Sequence, residues 1–338
     1  MSLKVIAKKL GLSVTTVSRA LNGYDDVAEE TRLRVEEEAR RRGYRPNTFA
    51  RRLKMGKIDA VGLVFPVRAA PLSNYTFMGM VAEISHELAT QEIDLLLIAD
   101  EDTTDHHAFL RMVESRRVDA LIIAHTLPDD ARLHCLQELN FPFLALGRSN
   151  LPSPYAWFDF DNQAGVALAT DRLVSLGHQR IAFLGENNPE SFIIQRREGY
   201  LAALQIAGLA FREAYFCLIE PSRRAGYQAT LALLALAEPP TAIVTDCSTQ
   251  GEGAALALRE CGRLQGENAI SLIIYDGLPG DSIIDTPVTA ITQATRAEVG
   301  RQIAQMVFRL IAGQDVSTLQ VLWQPQLCLG STDNLPSY

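Results

Sequence analysis

The stretch IAKKLGLSVTTVSRALNG, residues 6–23, decides how the first part of this chain folds. Apolar residues Leu3, Ile6, Ala7 and Leu10 recur at i, i+3, i+4 and i+7, the stripe of a short amphipathic helix that Gly11 ends. Ser13 is placed to cap a second helix with Val17, Ala20 and Leu21 inward and Val14, Thr15, Ser18, Arg19 and Asn22 outward. Two helices joined by a glycine-containing turn make a helix-turn-helix. The second helix of that motif brings short polar side chains and an arginine to base edges and phosphates in a major groove, and Arg19 is the first choice for a guanine contact. Downstream, Thr31 reads as the cap of a third helix with Val35 and Ala39 inward and a solvated face at Glu36, Glu37 and Glu38. That helix ends at Arg40, Arg41, Arg42 and Gly43, where arginines also suit the negative end of the helix dipole.

Charge supports this division. The net charge of −8 over 338 residues is unevenly distributed: residues 1–57 hold 14 Lys+Arg against 7 Asp+Glu, net +7, and the other 281 hold 18 against 33, net −15. A basic segment neutralises phosphates, while an acidic bulk limits indiscriminate sticking to nucleic acid.

The run IAKKLGLSVTTVSRALNG, followed by VAEETRLRVEEEARRRGYRPNTFARRLKMGK at residues 27–57, resembles the LacI/GalR repressor family, and the likeness continues to the C-terminus. Within that family it looks like the raffinose-operon repressors. The resemblance implies phosphate or base contacts for Ser13 and Ser18, base readout for Val14, Thr15 and Arg19, and a backbone contact for Asn22. It also places Tyr44, Asn47 and Ala50 at the DNA. The segment Pro46 to Leu53 matches the family's hinge, a short helix that orders on operator DNA, with Leu53 as the wedge that opens the central base step from the minor groove. The domains implied are a helix-turn-helix over 1–46, a hinge over 47–57 and an effector-binding domain over 58–338.

From Ala60 onward the runs VGLVF, DLLLIAD, ALIIAHT, PFLALG, RIAFLG, YFCLIE, AIVTD and SLIIYD alternate with amphipathic stretches, which predicts parallel sheets covered by helices. Eight strands and more exceed one comfortable lobe, so two lobes with a cleft between them fit best. The resemblance implies the periplasmic-binding-protein type of fold, with the chain crossing between lobes three times. The crossings are expected near Phe158, Pro287 and Val321, giving lobe 1 residues 58–158 and 288–320 and lobe 2 residues 159–287 and 321–338.

Effector groups are expected just after strands: Phe77, Arg148 following Gly147, Arg196, Asp246, Asp276 and Gln293, because carboxylates and guanidinium forks each hold two sugar hydroxyls. Family resemblance makes Arg196 and Asp276 the firmest of these. Gly147 and Asp246-Cys247 depart from the aspartate and the Asn-Asp pair of some members. Among Trp157, Phe158 and Phe160, one ring, Phe160, is assigned to the pocket. The resemblance points to raffinose or a related α-galactoside such as melibiose as effector, with sucrose as rival. A homodimer reading a palindromic operator is expected, joined mainly through the first lobes, with no leucine heptads for a tetramer.

Other classes lack their signatures. There is no G-x-S-x-G elbow, phosphate loop or H-E-x-x-H, so no enzyme is indicated, and Gly251-Glu252-Gly253 lacks the third glycine of a dinucleotide fingerprint. His178, in LVSLGHQRIAFLG, reads as a structural turn residue. The five cysteines show neither C-x-x-C nor metal-ligand spacing, so no disulfide, metal or cofactor is expected and they read as reduced, mostly buried thiols. Without a secretion signal or membrane span, the chain is expected in the cytoplasm. A free solute-binding protein would have no use for the helix-turn-helix, whereas an activator, or a repressor answering sucrose or using a corepressor, fits the same sequence.

Overall fold

The computed structural model describes residues 3–21, 24, 26–44, 58–67, 75–100 and 108–336, in two compact units, Met1–Asp59 and Ala60–Tyr338. Asn22, Asn47, Ala50 and Leu53, and with the last three the hinge, lie outside the described residues.

The first unit holds helices α1 (Leu3–Leu10), α2 (Val14–Leu21) and α3 (Glu29–Arg41). Their apolar stripes meet in one core of Ile6, Ala7, Val17, Ala20, Val27, Val35 and Ala39. Ser13 caps α2, its Oγ accepting the Thr16 amide at 2.9 Å. The third helix begins earlier than its assignment to a Thr31 cap: Ala28 is the N-cap and Glu29 and Glu30 occupy the first turn, where carboxylates suit the helix dipole. Nor is Glu38 part of a solvated face. It is buried, and pairs with Arg41 at 2.9 Å and with Arg42, so these arginines close the helix rather than all facing outward.

The second unit has two six-stranded sheets. The first joins β1 (Ala60–Pro66), β2 (Asp94–Asp100), β3 (Ala120–Ile123), β4 (Phe143–Leu146), β5 (Ala156–Phe160) and a late strand, β11 (Gln320–Trp323). The second joins β6 (Ile181–Glu186), β7 (Phe216–Ile219), β8 (Ala242–Thr245), β9 (Ser271–Tyr275), β10 (Thr289–Thr292) and β12 (Gln326–Cys328). Their orders, β11-β5-β4-β3-β1-β2 and β12-β10-β9-β8-β6-β7, repeat one pattern, in which the first strand lies between the second and third and a returning C-terminal strand completes the edge. All pairings are parallel except β10 with β12. Buried runs such as SLIIY fit such sheets because helices cover both faces.

The helices are α4 (Tyr75–Ala89), α5 (Ala108–Glu114), α6 (Ala131–Glu138), α7 (Asn162–Ser175), α8 (Ser191–Ile206), α9 (Arg223–Leu234), α10 (Ser248–Glu260) and α11 (Arg296–Ile311). Close packing in the second lobe depends on glycine. A Cβ on Gly199 would lie 2.2 Å from the Gln163 carbonyl oxygen of α7, and one on Gly253 would lie 2.0 Å from that of Arg223. Gly253 therefore lets α10 approach α9, while Gly251 lies against Ile274 and Thr245 of the sheet.

Two of the expected crossings are displaced. The chain leaves the first sheet after Phe160, close to the position expected, but β10 still belongs to the second sheet, so the return falls at 293–295 and not near Pro287. Likewise β11 pairs with β5, Val321 opposite Phe158, and the last crossing falls at 324–325. Both strands are four residues long, and their composition carries no mark of which sheet they join. The aromatic stretch Trp157 to Phe160 is itself strand β5.

His178 is fully buried as a structural residue, its ring nitrogens on Thr241 Oγ1 at 2.8 Å and the Asn334 carbonyl at 2.9 Å, and burial lowers its pKa. All five cysteines are free, but only Cys247 is buried. Cys261 and Cys328 are exposed, contrary to the expectation of mostly buried thiols. Among the described residues, no helix is long and apolar enough to cross a membrane.

Candidate functional site

In the first unit, α2 turns Val14, Thr15 and Arg19 outward while Val17 and Ala20 fill the core, and Ser18 is half-buried. Without DNA, Arg19 is occupied: its Nε donates to Asp26 at 3.1 Å and its guanidinium lies 4.8 Å from the Tyr24 ring centroid. An exposed ion pair of this kind is worth about 0–1 kcal/mol, so exchanging Asp26 for a base edge costs little. Ser13 Oγ already serves the helix cap. Tyr44 packs half-buried against the three-helix core.

In the second unit the carboxyl ends of the strands assemble a polar cluster. With this strand order, the switch point lies between the first and third strand of each sheet, where the chain leaves in opposite directions and opens a crevice. In the second sheet that point is occupied by Glu186 and Asp246, and the Glu186 amide donates to Asp246 Oδ2 at 2.8 Å. In the first sheet it is occupied by His125. Asp246 is wholly buried, and burial, reinforced by Glu186, raises its pKa to about 8. A carboxyl biased in this way toward its neutral acid can donate as well as accept. Burial also pushes the Glu186 carboxyl up.

Arg196, on α8, organises the centre. Its Nε donates to Asn162 Oδ1 at 3.0 Å and its Nη1 to the Asp246 carbonyl at 2.5 Å. Its guanidinium stacks 3.8 Å from the Tyr275 ring centroid and 5.0 Å from that of Phe192. Gln293 Nε2 reaches the Tyr275 hydroxyl at 3.4 Å, and burial raises that phenol to about 12. Asp276 follows with a left-handed backbone at φ 64°, its amide held by the Ile291 carbonyl at 2.8 Å and its carboxyl raised by burial. Of the expected residues, Arg196, Asp276 and Gln293 thus gather around Tyr275, and Asp246 joins them through Arg196.

The other three sit on the first lobe. Arg148 donates to Asp159 at 2.8 Å, and Asp159 accepts from Asn162 at 3.3 Å, so a chain of polar contacts runs from Arg148 through Asp159 and Asn162 to Arg196. It crosses from one lobe to the other. Phe160 lies edge-on to Phe158 and Trp323, at 5.2 and 6.1 Å. Phe77 packs its ring 5.3 Å from that of His125. Gly147 cannot carry a side chain without distortion: its φ is +107° and a Cβ would meet Thr126 Oγ1 at 2.3 Å.

Sequence reasoning missed His125, Asn162, Glu186, Glu190, Ser191 and Tyr275. His125 sits at φ 54°, a strained conformation of the kind that gathers at binding sites. It faces Glu190 of the second lobe at 3.7 Å, and the Ser191 amide donates across the cleft to the Thr126 carbonyl at 2.8 Å. Buried Asp246 Oδ1, Glu190 Oε2, His125 Nδ1 and Ser191 Oγ have no hydrogen-bond partner. Buried polar atoms are almost always satisfied, so four such atoms in one cleft mark a place where a polar ligand or water completes the bonding. Glu186, Asp246 and Cys247 bring their ligand atoms within 4.8 Å of one another.

A helix-turn-helix unit and a two-lobed α/β unit with a polar cleft define a DNA-binding regulator controlled by a small molecule. Residues 2–47 match the bacterial regulatory proteins of the lacI family, and residues 58–326 the periplasmic binding proteins and sugar binding domain of the LacI family. The chain belongs to the LacI family of DNA-binding transcriptional regulators. It is 56% identical over 338 residues to the HTH-type transcriptional regulator RafR of Escherichia coli, covering the whole of both chains. A solved transcriptional regulator of Yersinia pestis is 52% identical with a TM-score of 0.79, covering 83% of this chain and all of the other. The CelR–cellobiose complex is 26% identical with a TM-score of 0.70, covering 98% and 99%.

Proposed function

We propose that the protein represses a sugar-utilisation operon and is released from its operator by a small saccharide, raffinose or another α-galactoside. The unpartnered polar atoms of Asp246, Glu190 and His125, grouped with Arg196, Asp276 and Gln293, carry this reading. Buried carboxyls biased toward their neutral acids, an amide and a guanidinium beside aromatic rings match the mixed hydroxyl and C–H surface of a sugar. The 56% identical relative RafR supports the class, and the CelR–cellobiose complex supports an oligosaccharide as a ligand this fold can hold.

The protein acts by binding and not by catalysis, in the cytoplasm where its operator lies. Two copies read a palindromic site, one half each, with Val14, Thr15, Ser18 and Arg19 at the major groove and Leu53 as the minor-groove wedge. The saccharide favours one arrangement of the two lobes through its contacts with both, and its differential affinity sets how far the operator equilibrium shifts. The chain from Arg148 to Arg196 is the element on which that preference acts.

The test is Asp276→Asn, measured by saccharide-induced release from a labelled operator. The expected result is a response needing at least tenfold more sugar, with operator affinity intact. Equal loss of both would show that Asp276 supports the fold and not the pocket.

A further inference from the structure

Beside the central cluster, between loop 147–155 of the first lobe and the first turns of α8 in the second, lies a cavity of about 440 Å³, within the ~300–1,000 Å³ of ordinary small-ligand sites. Arg148, Asn150, Trp157, Ser191, Gln195 and Glu198 face it. Its frame is rigid. The Tyr155 hydroxyl accepts the Ser149 amide at 2.7 Å and donates to the Ser149 carbonyl at 2.8 Å, while Ser149 Oγ donates to the Pro128 carbonyl and accepts the Asp130 amide, both at 3.1 Å.

We propose that this groove is an outer saccharide subsite, which binds the terminal ring of an oligosaccharide whose other end occupies the central cluster, and so reads the length of the effector. The inference rests on the saccharide reading above. Three observations carry it. First, Ser191 lines the groove and its buried Oγ has no partner, so the edge of the groove carries a hydroxyl that a ligand hydroxyl or water can satisfy. Second, Trp157 supplies an aromatic wall, with the Arg148 guanidinium 5.8 Å from its ring centroid. An indole plane accepts the C–H face of a sugar ring, while Asn150, Gln195 and Glu198 offer amide and carboxylate groups to its hydroxyls. Third, the groove adjoins the central cluster through shared residues. Arg148 reaches Gln195 Oε1 at 3.4 Å and Asp159 at 2.8 Å, and Gln195 immediately precedes Arg196. A ligand spanning both places touches both lobes at two points, which lengthens its grip on one lobe arrangement.

The experiment is calorimetric titration of the full-length protein with raffinose, a trisaccharide, and with melibiose, the disaccharide contained in it. It compares the wild type with Trp157→Leu and with Glu198→Gln, an exposed change that leaves the core untouched. Thermal melting shows that each variant is folded. Both variants are expected to weaken raffinose at least fivefold and melibiose less than twofold. Loss of affinity for both sugars in equal proportion, or for neither, would overturn the outer subsite while leaving the saccharide reading in place. A wild type that binds neither sugar would overturn the α-galactoside reading and the subsite with it.

Discussion

Replacing Arg196 by methionine tests whether this side chain organises the cleft. Methionine keeps an unbranched apolar stem between Phe192 and Tyr275 and deletes the guanidinium. The Asp246 carbonyl then loses its 2.5 Å donor, and Asn162 Oδ1 loses its 3.0 Å donor and keeps only the Tyr275 hydroxyl at 3.3 Å. Hydrogen bonds to a charged group contribute about 1.5–3 kcal/mol each, and a desolvated cation–π contact about 2 kcal/mol. Against this stands relief from burying a charge, several kcal/mol. The two bonds and the cation–π contact together contribute about 5–8 kcal/mol, and the desolvation relief leaves a net loss of about 2–4 kcal/mol. For a unit of this size, at roughly 2–4 °C per kcal/mol, the melting midpoint should fall by on the order of 10 °C. Urea unfolding at pH 7, followed by circular dichroism, measures the change. A loss below about 1 kcal/mol would refute the reasoning and leave Arg196 as a residue held for ligand contact alone.

Asp246→Asn should flatten the pH dependence of stability. The folded pKa of about 8 lies far above the ordinary 3.8, so the native state holds a proton that the unfolded chain has released, and stability falls as pH rises through that window. Wild-type protein should lose more stability than the variant between pH 6 and 9; parallel curves would contradict the assignment. Gly199→Ala should cost at least ~1–3 kcal/mol, because its Cβ meets backbone of α7 at 2.2 Å, and an unchanged melting midpoint would show that the helices part freely. Arg19→Ala should cost ~1–3 kcal/mol of operator binding and relax one base position; a uniform loss over all operator variants would make Arg19 a phosphate contact.

What could be read from the sequence followed physical period. The amphipathic stripes of α1 and α2 and eight strand runs carry their own signatures, since buried parallel strands are short and continuously apolar. Strand β5 did not stand out because AWFDF reads equally as an aromatic core cluster, and β10 and β11 are too short to declare their sheet. The hydroxyl of Thr31 reads as the cap of α3, whereas a helix opened by Glu29 and Glu30 needs none. In the cleft, the rule that ligand groups follow strands located Asp246, Asp276 and Gln293. The same rule applied to the switch points would have added Glu186 and His125. Asn162, Glu190 and Ser191 open helices, and tertiary packing alone brings them to the site.

The most direct test of the account is operator binding by the purified protein, followed by fluorescence anisotropy at fixed salt, with and without raffinose, melibiose, galactose and sucrose. The account predicts tight binding that raffinose or melibiose releases and sucrose does not. Tight binding that none of the sugars alters would contradict it.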